Sequence, residues 1–452
     1  MRIKRIILFV PLLLLGVLLC LTSCSDSDYI NAIPEGSTAL ISVDPLKAGV
    51  KANPTLLKSL LRINDPTDCG IDLTSKLFLF ESPEGNLGLC AKVSRDNKLA
   101  DLFERLAKQK ICQPVKERRG FRFTVLKESW VVGFSDKALL VMGPVTASAQ
   151  SELQNTMAKY LKQTESGGIK GTPMFDKLDS IASPMAMVIQ AQALPEKIVA
   201  PFTIGAPKDA DASEVLIAAA INIDKGCLDI EGETFSFNRD VDKALKNALK
   251  DYRPIRGRYV KSMSVNALMG LFINVDGKKF IDLLHNNKGL QALLTGINAA
   301  IDMDNIIRSI DGDMSIVIPQ YTSNDLNLSL AAELSNASWL SDVSYWMRSC
   351  PNGSRIVSWG KDAYCYTSGK TAFYFAVSPD KQFMSGNSKE QALASIQPAQ
   401  QSIPALLQQK IIGSKLAMVI QLAAVENEQT AVFTEMLKPL FGQVSSIVYR
   451  IK

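Results

Sequence analysis

Ala186-Met187-Val188-Ile189-Gln190 returns letter for letter as Ala417-Met418-Val419-Ile420-Gln421. Working outward, three further matches run in the same order. Leu40-Ile41-Ser42-Val43-Asp44 recurs as Phe272-Ile273-Asn274-Val275-Asp276, and Ser94, Leu99 and Asp101 match Ser335, Leu340 and Asp342. Trp130-Val131-Val132-Gly133-Phe134-Ser135-Asp136-Lys137 resembles Phe373-Tyr374-Phe375-Ala376-Val377-Ser378-Pro379-Asp380-Lys381. Four ordered matches at offsets of about 230 to 245 residues are the signature of an internal duplication. The chain beyond its first 28 residues therefore reads as two tandem copies, 29–256 and 257–452, the second truncated at its end.

Each copy opens with a strand (38–44; 268–275) and a helical stretch, carrying Leu56, Leu57, Leu60 and Leu61 in the first copy and Phe280, Leu283 and Leu284 in the second. A strand pair follows (77–81 and 87–93; 313–318 and 327–333). Leu99, Leu102, Phe103 and Leu106 then fall at i, i+3, i+4 and i+7, the apolar stripe of an amphipathic helix. Trp339, Leu340, Val343, Trp346 and Met347 show the same kind of helical spacing in the second copy. Three strands in meander (121–126, 129–134, 138–142) precede a second helix with Leu153, Met157, Tyr160 and Leu161 on one face. A hairpin closes at Asp224-Lys225-Gly226, and Tyr252-Arg253-Pro254-Ile255-Arg256-Gly257 reads as the linker. Runs of strands with helices inserted predict an α+β fold, each copy a mainly antiparallel sheet with helices packed on one face.

Composition bounds the rest. Across 452 residues there are 50 Lys plus Arg, 45 Asp plus Glu, one His and eight Cys, with 47% apolar and 21% charged residues. These are ordinary globular values. One histidine excludes a multi-His metal site, and no motif calls for a cofactor. Arg2, Lys4 and Arg5 precede an apolar stretch from Ile6 to Leu21, the pattern of a secretory signal peptide. The box that follows, Leu21-Thr22-Ser23-Cys24, resembles the lipobox of bacterial lipoproteins. That resemblance implies cleavage just before Cys24, lipidation (palmitate among the acyl chains) of that cysteine as the mature N-terminus, and a membrane contact through the N-terminal lipid. It also implies a short tether over 25–28. Without Arg2, Lys4 and Arg5, 47 cations face 45 anions, so the remaining chain carries a net charge near +2. Such a balance offers no broad field for nucleic acid. Ser25 after the cysteine implies the outer membrane as destination, facing either the periplasm or the cell surface. The Ile33-Pro34-Glu35-Gly36-Ser37-Thr38-Ala39 lead-in to a Val-Asp strand, with the Gly70-Ile71-Asp72 step, is similar to a domain-of-unknown-function lipoprotein family of gut anaerobes. The similarity implies location and fold, and brings no activity.

Candidate chemistry is sparse. Cys350 and Cys365 flank the Pro351-Asn352-Gly353 turn and are the candidate disulfide, whereas Cys90 inside a strand reads as a buried thiol. His285 falls on a helix flank with Asp282 three residues back and no nucleophile elbow nearby. Asp302, Asp304, Asp311 and Asp313 cluster before a strand, as Asp65, Asp68 and Asp72 do in the first copy, but lack the alternation of a Ca²⁺ loop. Turns and helix caps account for them. Trp339 and Trp346 share a core-facing stripe, which leaves Tyr345 and Trp359 as the candidate ligand contacts. Two short basic runs, Lys116 to Arg122 and Arg253 to Lys261, are either solvated surface or a site for an acidic glycan or envelope partner. Together these features favour a lipid-anchored envelope protein that binds or scaffolds without catalysis. The alternatives are a hydrolase with its cleft between the copies, or a carrier of a small apolar ligand.

Overall fold

The computed structural model describes residues 27–47, 69–194, 196–287, 300–320, 327–369, 371–424 and 444–452. The leader with Cys24, the expected helix carrying Leu56, Leu57, Leu60 and Leu61, and the acids Asp65 and Asp68 lie outside the described residues. The chain divides into two compact units, Met1–Lys177 and Leu178–Lys452. Both are mixed α+β.

The first unit contains β1 (Ala39–Val43), β2 (Leu77–Glu81), β3 (Leu87–Lys92), α1 (Asp96–Lys108), β4 (Lys116–Arg118), β5 (Phe121–Leu126), β6 (Trp130–Phe134), β7 (Ala138–Gly143) and α2 (Gln150–Leu161). Its strands pair in the order β1-β2-β3-β7-β6-β5-β4, antiparallel throughout. Lys127, Glu128 and Ser129 join β5 to β6, with positive φ at the first two, backbone that turns the chain sharply between the paired ends Leu126 and Trp130. The predicted stripe of α1 holds: Leu99, Leu102, Phe103 and Leu106 are all buried.

Helices pack on both faces of the sheet, not on one face as the strand pattern predicts. Successive strand residues point to opposite faces. Phe134 of β6 stacks on Phe103 of α1 at 5.7 Å between ring centroids. Its neighbour Gly133 looks the other way, where an added Cβ would come within 2.6 Å of Phe123 and 3.3 Å of Met157 from α2. Helices therefore cover both faces. The physical reason lies in the strands themselves, since β6 and β7 bury nearly every residue and would expose a bare apolar face under a single helical layer.

The second unit contains β8 (Met185–Gln190), β9 (Leu216–Asp224), β10 (Cys227–Phe235), α3 (Arg239–Ala248), β11 (Met269–Asp276), α4 (Gly277–Asn286), α5 (Met303–Arg308), β12 (Ile310–Ile318) and β13 (Ser329–Leu334). It continues with α6 (Val343–Ser349), β14 (Ser354–Gly360), β15 (Ala363–Ser368), β16 (Thr371–Val377), β17 (Gln382–Gly386), α7 (Lys389–Ala394), α8 (Ala405–Ile411), β18 (Leu416–Gln421) and β19 (Ser446–Ile451). The pairing order is β8-β9-β10-β19-β18-β11-β12-β13-β17-β16-β15-β14. One pair, β10 with β19, is parallel. Both helical layers recur: Trp339 reaches Phe375 and Phe383, while a Cβ at Gly386 would meet the Ala392 backbone of α7 on the opposite side.

A buried ion cluster closes the parallel seam. Asp229 of β10, 4% exposed, receives Arg450 Nε at 2.9 Å, Arg450 Nη2 at 3.1 Å and Lys410 Nζ at 2.8 Å. Burial alone would raise its proton affinity, but the bonds from Arg450 and Lys410 outweigh burial and hold the carboxyl below its usual range. Arg450 also reaches Glu231 at 2.6 Å.

The stretch read as a linker is instead part of the second unit. Tyr252 and Ile255 are buried, and the Ile255 N–H bonds to the Ser414 carbonyl at 2.8 Å. Buried Asp313 accepts the backbone N–H groups of Arg256 and Arg258, both at 2.9 Å. Gly312 makes room for this, because a Cβ there would strike Glu333 and Arg256. Apolar side chains at Tyr252 and Ile255 gain more from burial than a solvated linker would allow.

Asp229→Ala should cost about 3–5 kcal/mol, since it removes the buried carboxylate that Arg450 and Lys410 share and leaves them only the more exposed Glu231 and Asp224. Asp96→Ala, at the half-exposed Arg122 pair of 3.3 Å, should cost no more than about 1 kcal/mol. Urea midpoints check both, and equal shifts would refute the clamp. Acid should weaken the fold in a defined window. Asp72 is lowered from 3.8 to about 2, where burial opposes and bonds from Thr74, Ser75 and Lys92 prevail. A depressed folded pKa adds stability that is present above the unfolded value and lost as pH falls through the folded one. Urea midpoints should fall between pH 4 and pH 2, and Asp72→Asn should flatten that fall.

Candidate functional site

The surface that stands out physically is the free edge of β14. Among the described residues this strand pairs with β15 alone, in the register Ser354↔Ser368 through Ser358↔Tyr364 and then a bulge to Gly360↔Ala363. Five residues, Ser354 to Ser358, thus run in regular ladder, and alternate ones turn N–H and C=O groups away from β15. The β4 edge of the first unit is different in kind. It is three residues long, Lys116-Glu117-Arg118, with Arg118 bonded to Gln154 at 3.0 Å. Short charged edges are how sheets avoid pairing with other chains. β14 has seven residues and exposes Val357 at its centre.

Packing explains why its side chains are presented. Ile356 is buried beneath the α6 layer, and Trp339, 1% exposed, stacks on Trp346 at 6.0 Å. With those two rings inward, Tyr345 is turned out at 64% exposure, and so is Met347 at 41%, which corrects its expected place on the apolar stripe. Val357 and Trp359 occupy the opposite face, where Trp359 packs with Tyr374, Ala376 and Met384. Trp359 is held in place: Nε1 donates to the Tyr364 carbonyl at 2.8 Å, and Lys389 Nζ sits 5.3 Å from the ring centroid. The two sequence candidates, Tyr345 and Trp359, therefore flank one strand edge from opposite sides and do not form a single aromatic platform.

Charge marks the same edge. Arg348, Arg355 and Lys361 are exposed and, among the described residues, have no carboxylate within ion-pair distance. The basic run around residue 256 is corrected as a candidate for acidic partners: Arg253 pairs with Asp311 at 2.9 Å, Arg256 with Glu333 at 2.5 Å and Arg258 with Asp380 at 2.7 Å. Those cations are already spent on internal carboxylates. Nothing in the local sequence distinguishes the paired arginines from the unpaired ones, because their partners lie up to 122 residues away.

The remaining candidates resolve into structural roles. Cys350 and Cys365 are both free thiols, so the expected bridge is absent from this structure. Cys365 lies mid-ladder between Val357 and Tyr374, while Cys350 caps α6 before the turn into β14. Cys90 is a fully buried thiol donating to the Tyr29 carbonyl at 3.4 Å, and burial pushes its proton affinity up. His285 pairs with Asp304 at 2.9 Å, not with Asp282. Asp302 caps α5 through the Asn305 N–H, so the four acids near residue 302 serve four separate contacts. No group of three metal-ligating side chains occurs among the described residues. A cavity lined by Phe202, Leu245, Leu249, Tyr252, Leu416 and Ile451 encloses about 30 Å³, room for roughly one water.

Trp339→Ala should cost about 3–5 kcal/mol, as expected for emptying a packed aromatic site. Tyr345→Ser should stay within about 0.5 kcal/mol. Urea unfolding of the two variants reads the difference, and a destabilising Tyr345→Ser would contradict its placement on the surface.

A family model described as "Domain of unknown function (DUF4836)" matches residues 30–403. No curated protein sequence matches the chain. Among solved structures, "Structure of crystal form IV of TP0453" aligns at 9% identity and TM-score 0.27, over 44% of this chain and 76% of that one. Crystal forms III and I of TP0453 align at 10% identity over 82% of this chain and 97% of theirs, with TM-scores of 0.25 and 0.24. Similarity at that level carries no argument about fold or role.

Proposed function

This chain belongs to the DUF4836 family, a domain of unknown function, and from that premise we propose a lipid-anchored cell-envelope protein that works by contact and not by catalysis. Cys24 carries the acyl chains and the body stands at the outer membrane, facing the periplasm or the cell surface. Two acyl signals or more give a stable attachment, where one chain alone would be marginal.

The body is built from two tandem copies. Strand order supports this reading: β1-β2-β3-β7-β6-β5-β4 in the first unit has its counterpart in β11-β12-β13-β17-β16-β15-β14 of the second. In both, a helix follows the third strand (α1; α6) and another follows the seventh (α2; α7). The repeated Ala-Met-Val-Ile-Gln segments lie in β8 and β18, each antiparallel to the strand that follows it, β9 and β19. With copies at 29–256 and 257–452, the last strand of the second copy pairs with β10 of the first, which is why the compact units divide at residue 177 and not at the copy boundary.

The single observation that carries the contact role is the contrast between the blunted β4 edge and the open β14 edge at corresponding places in the copies. The partner is an envelope protein or glycan. Two variants test the reading in cells. Cys24→Ala should abolish incorporation of labelled palmitate and outer-membrane fractionation, and unchanged behaviour would refute the anchor. A photo-crosslinking residue at position 345 should form envelope adducts that the same residue at position 117 does not, and equal yields would refute the site.

A further inference from the structure

The geometry of the β14 edge points to the chemistry of its occupant: we propose that it takes an extended, carboxylate-bearing peptide segment of an envelope partner as an added strand. This deepens the contact reading above and rests on it. First, the edge offers backbone groups in regular ladder over Ser354 to Ser358, so an extended chain satisfies them by main-chain pairing. Second, both flanks are apolar and exposed: Tyr345 and Met347 lie on the α6 side, Val357 on the other. An added strand would place alternate side chains against each flank.

Third, charge selects the partner. Arg355 lies within the ladder, on the same face as Val357, and Arg348 and Lys361 bracket the strand, all three exposed without a carboxylate in reach among the described residues. A residue directly across from Arg355 on the added strand is its nearest neighbour, and opposite charges there stabilise the pair. A second copy of this chain meets the edge less well, because two identical cationic edges would face each other. An acidic glycan would satisfy the cations but leave the backbone groups of β14 unpaired.

The test uses the full purified chain and a synthetic acetylated heptapeptide that alternates Val and Glu. Two controls accompany it, one with Lys in place of Glu and one with alternate amides N-methylated. Trp fluorescence and calorimetry report binding. The Glu peptide should bind at least ~10-fold tighter than the Lys peptide and weaken with salt, as charge-steered pairing does. Arg355→Glu, an exposed change whose folding circular dichroism confirms, should reverse that order. N-methylation should reduce affinity at least ~10-fold, since main-chain bonds carry strand addition.

Equal binding of the Glu and Lys peptides would overturn the proposal. So would indifference to N-methylation, which is the outcome expected of an acidic glycan site, or absence of binding at millimolar peptide. A dimer in sedimentation that Val357→Lys dissolves would also overturn it, by assigning the edge to a second copy. Because the assay needs no membrane, its failure leaves the Cys24 anchor and the crosslinks from position 345 to stand or fall separately.

Discussion

Burial of both sheet faces is the constraint from which the rest of the structure follows. Strands such as β6, β7 and β18 turn almost no side chain to water, so helices must cover each side of the ladder. Once both faces are covered, a sheet can offer backbone only at its edges. Each copy therefore has to manage its terminal strand, and the two do so differently. The first reduces β4 to three charged residues; the second extends β14 to seven and sets exposed apolar side chains beside it. Function, in this account, lives in that difference between otherwise similar frames.

The second dependence is electrostatic. A parallel pair such as β10 with β19 joins segments more than 200 residues apart, and closing such a loop costs entropy that local contacts cannot offset. The Asp229 cluster supplies specificity at that seam. A buried carboxylate receiving three hydrogen bonds fixes which residue of β19 lies beside β10, because any slip leaves charges unpaired in the interior. Apolar burial holds the two strands together, and the ions set their register.

Much of this was legible in the residues. Helical spacing put Leu99, Leu102, Phe103 and Leu106 inward, and separated Trp339 and Trp346 from Tyr345, because side-chain direction on a helix follows period alone. The β-strands were legible as apolar runs between turn residues, including the Lys225-Gly226 hairpin with positive φ at both positions. Two-sided burial was also written in the unbroken runs Val131 to Phe134 and Ala138 to Leu140, although the fold expectation assigned helices to one side. What stayed illegible depends on long-range partners. Asp229 meets Lys410 and Arg450 across 181 and 221 residues, and no local pattern marks that meeting. The same holds for the arginines near residue 256, whose exposure to a partner depends wholly on Asp311, Glu333 and Asp380. Edge status is of the same kind, since it belongs to the sheet order and not to the strand.

Amide hydrogen exchange on the free chain tests the central claim most directly. If β14 is an open edge, its outward N–H groups between Ser354 and Ser358 should exchange at nearly unprotected rates, while β15, β16 and β17 stay strongly protected. Protection of β14 equal to that of β15 would show the edge already covered, and would contradict the account.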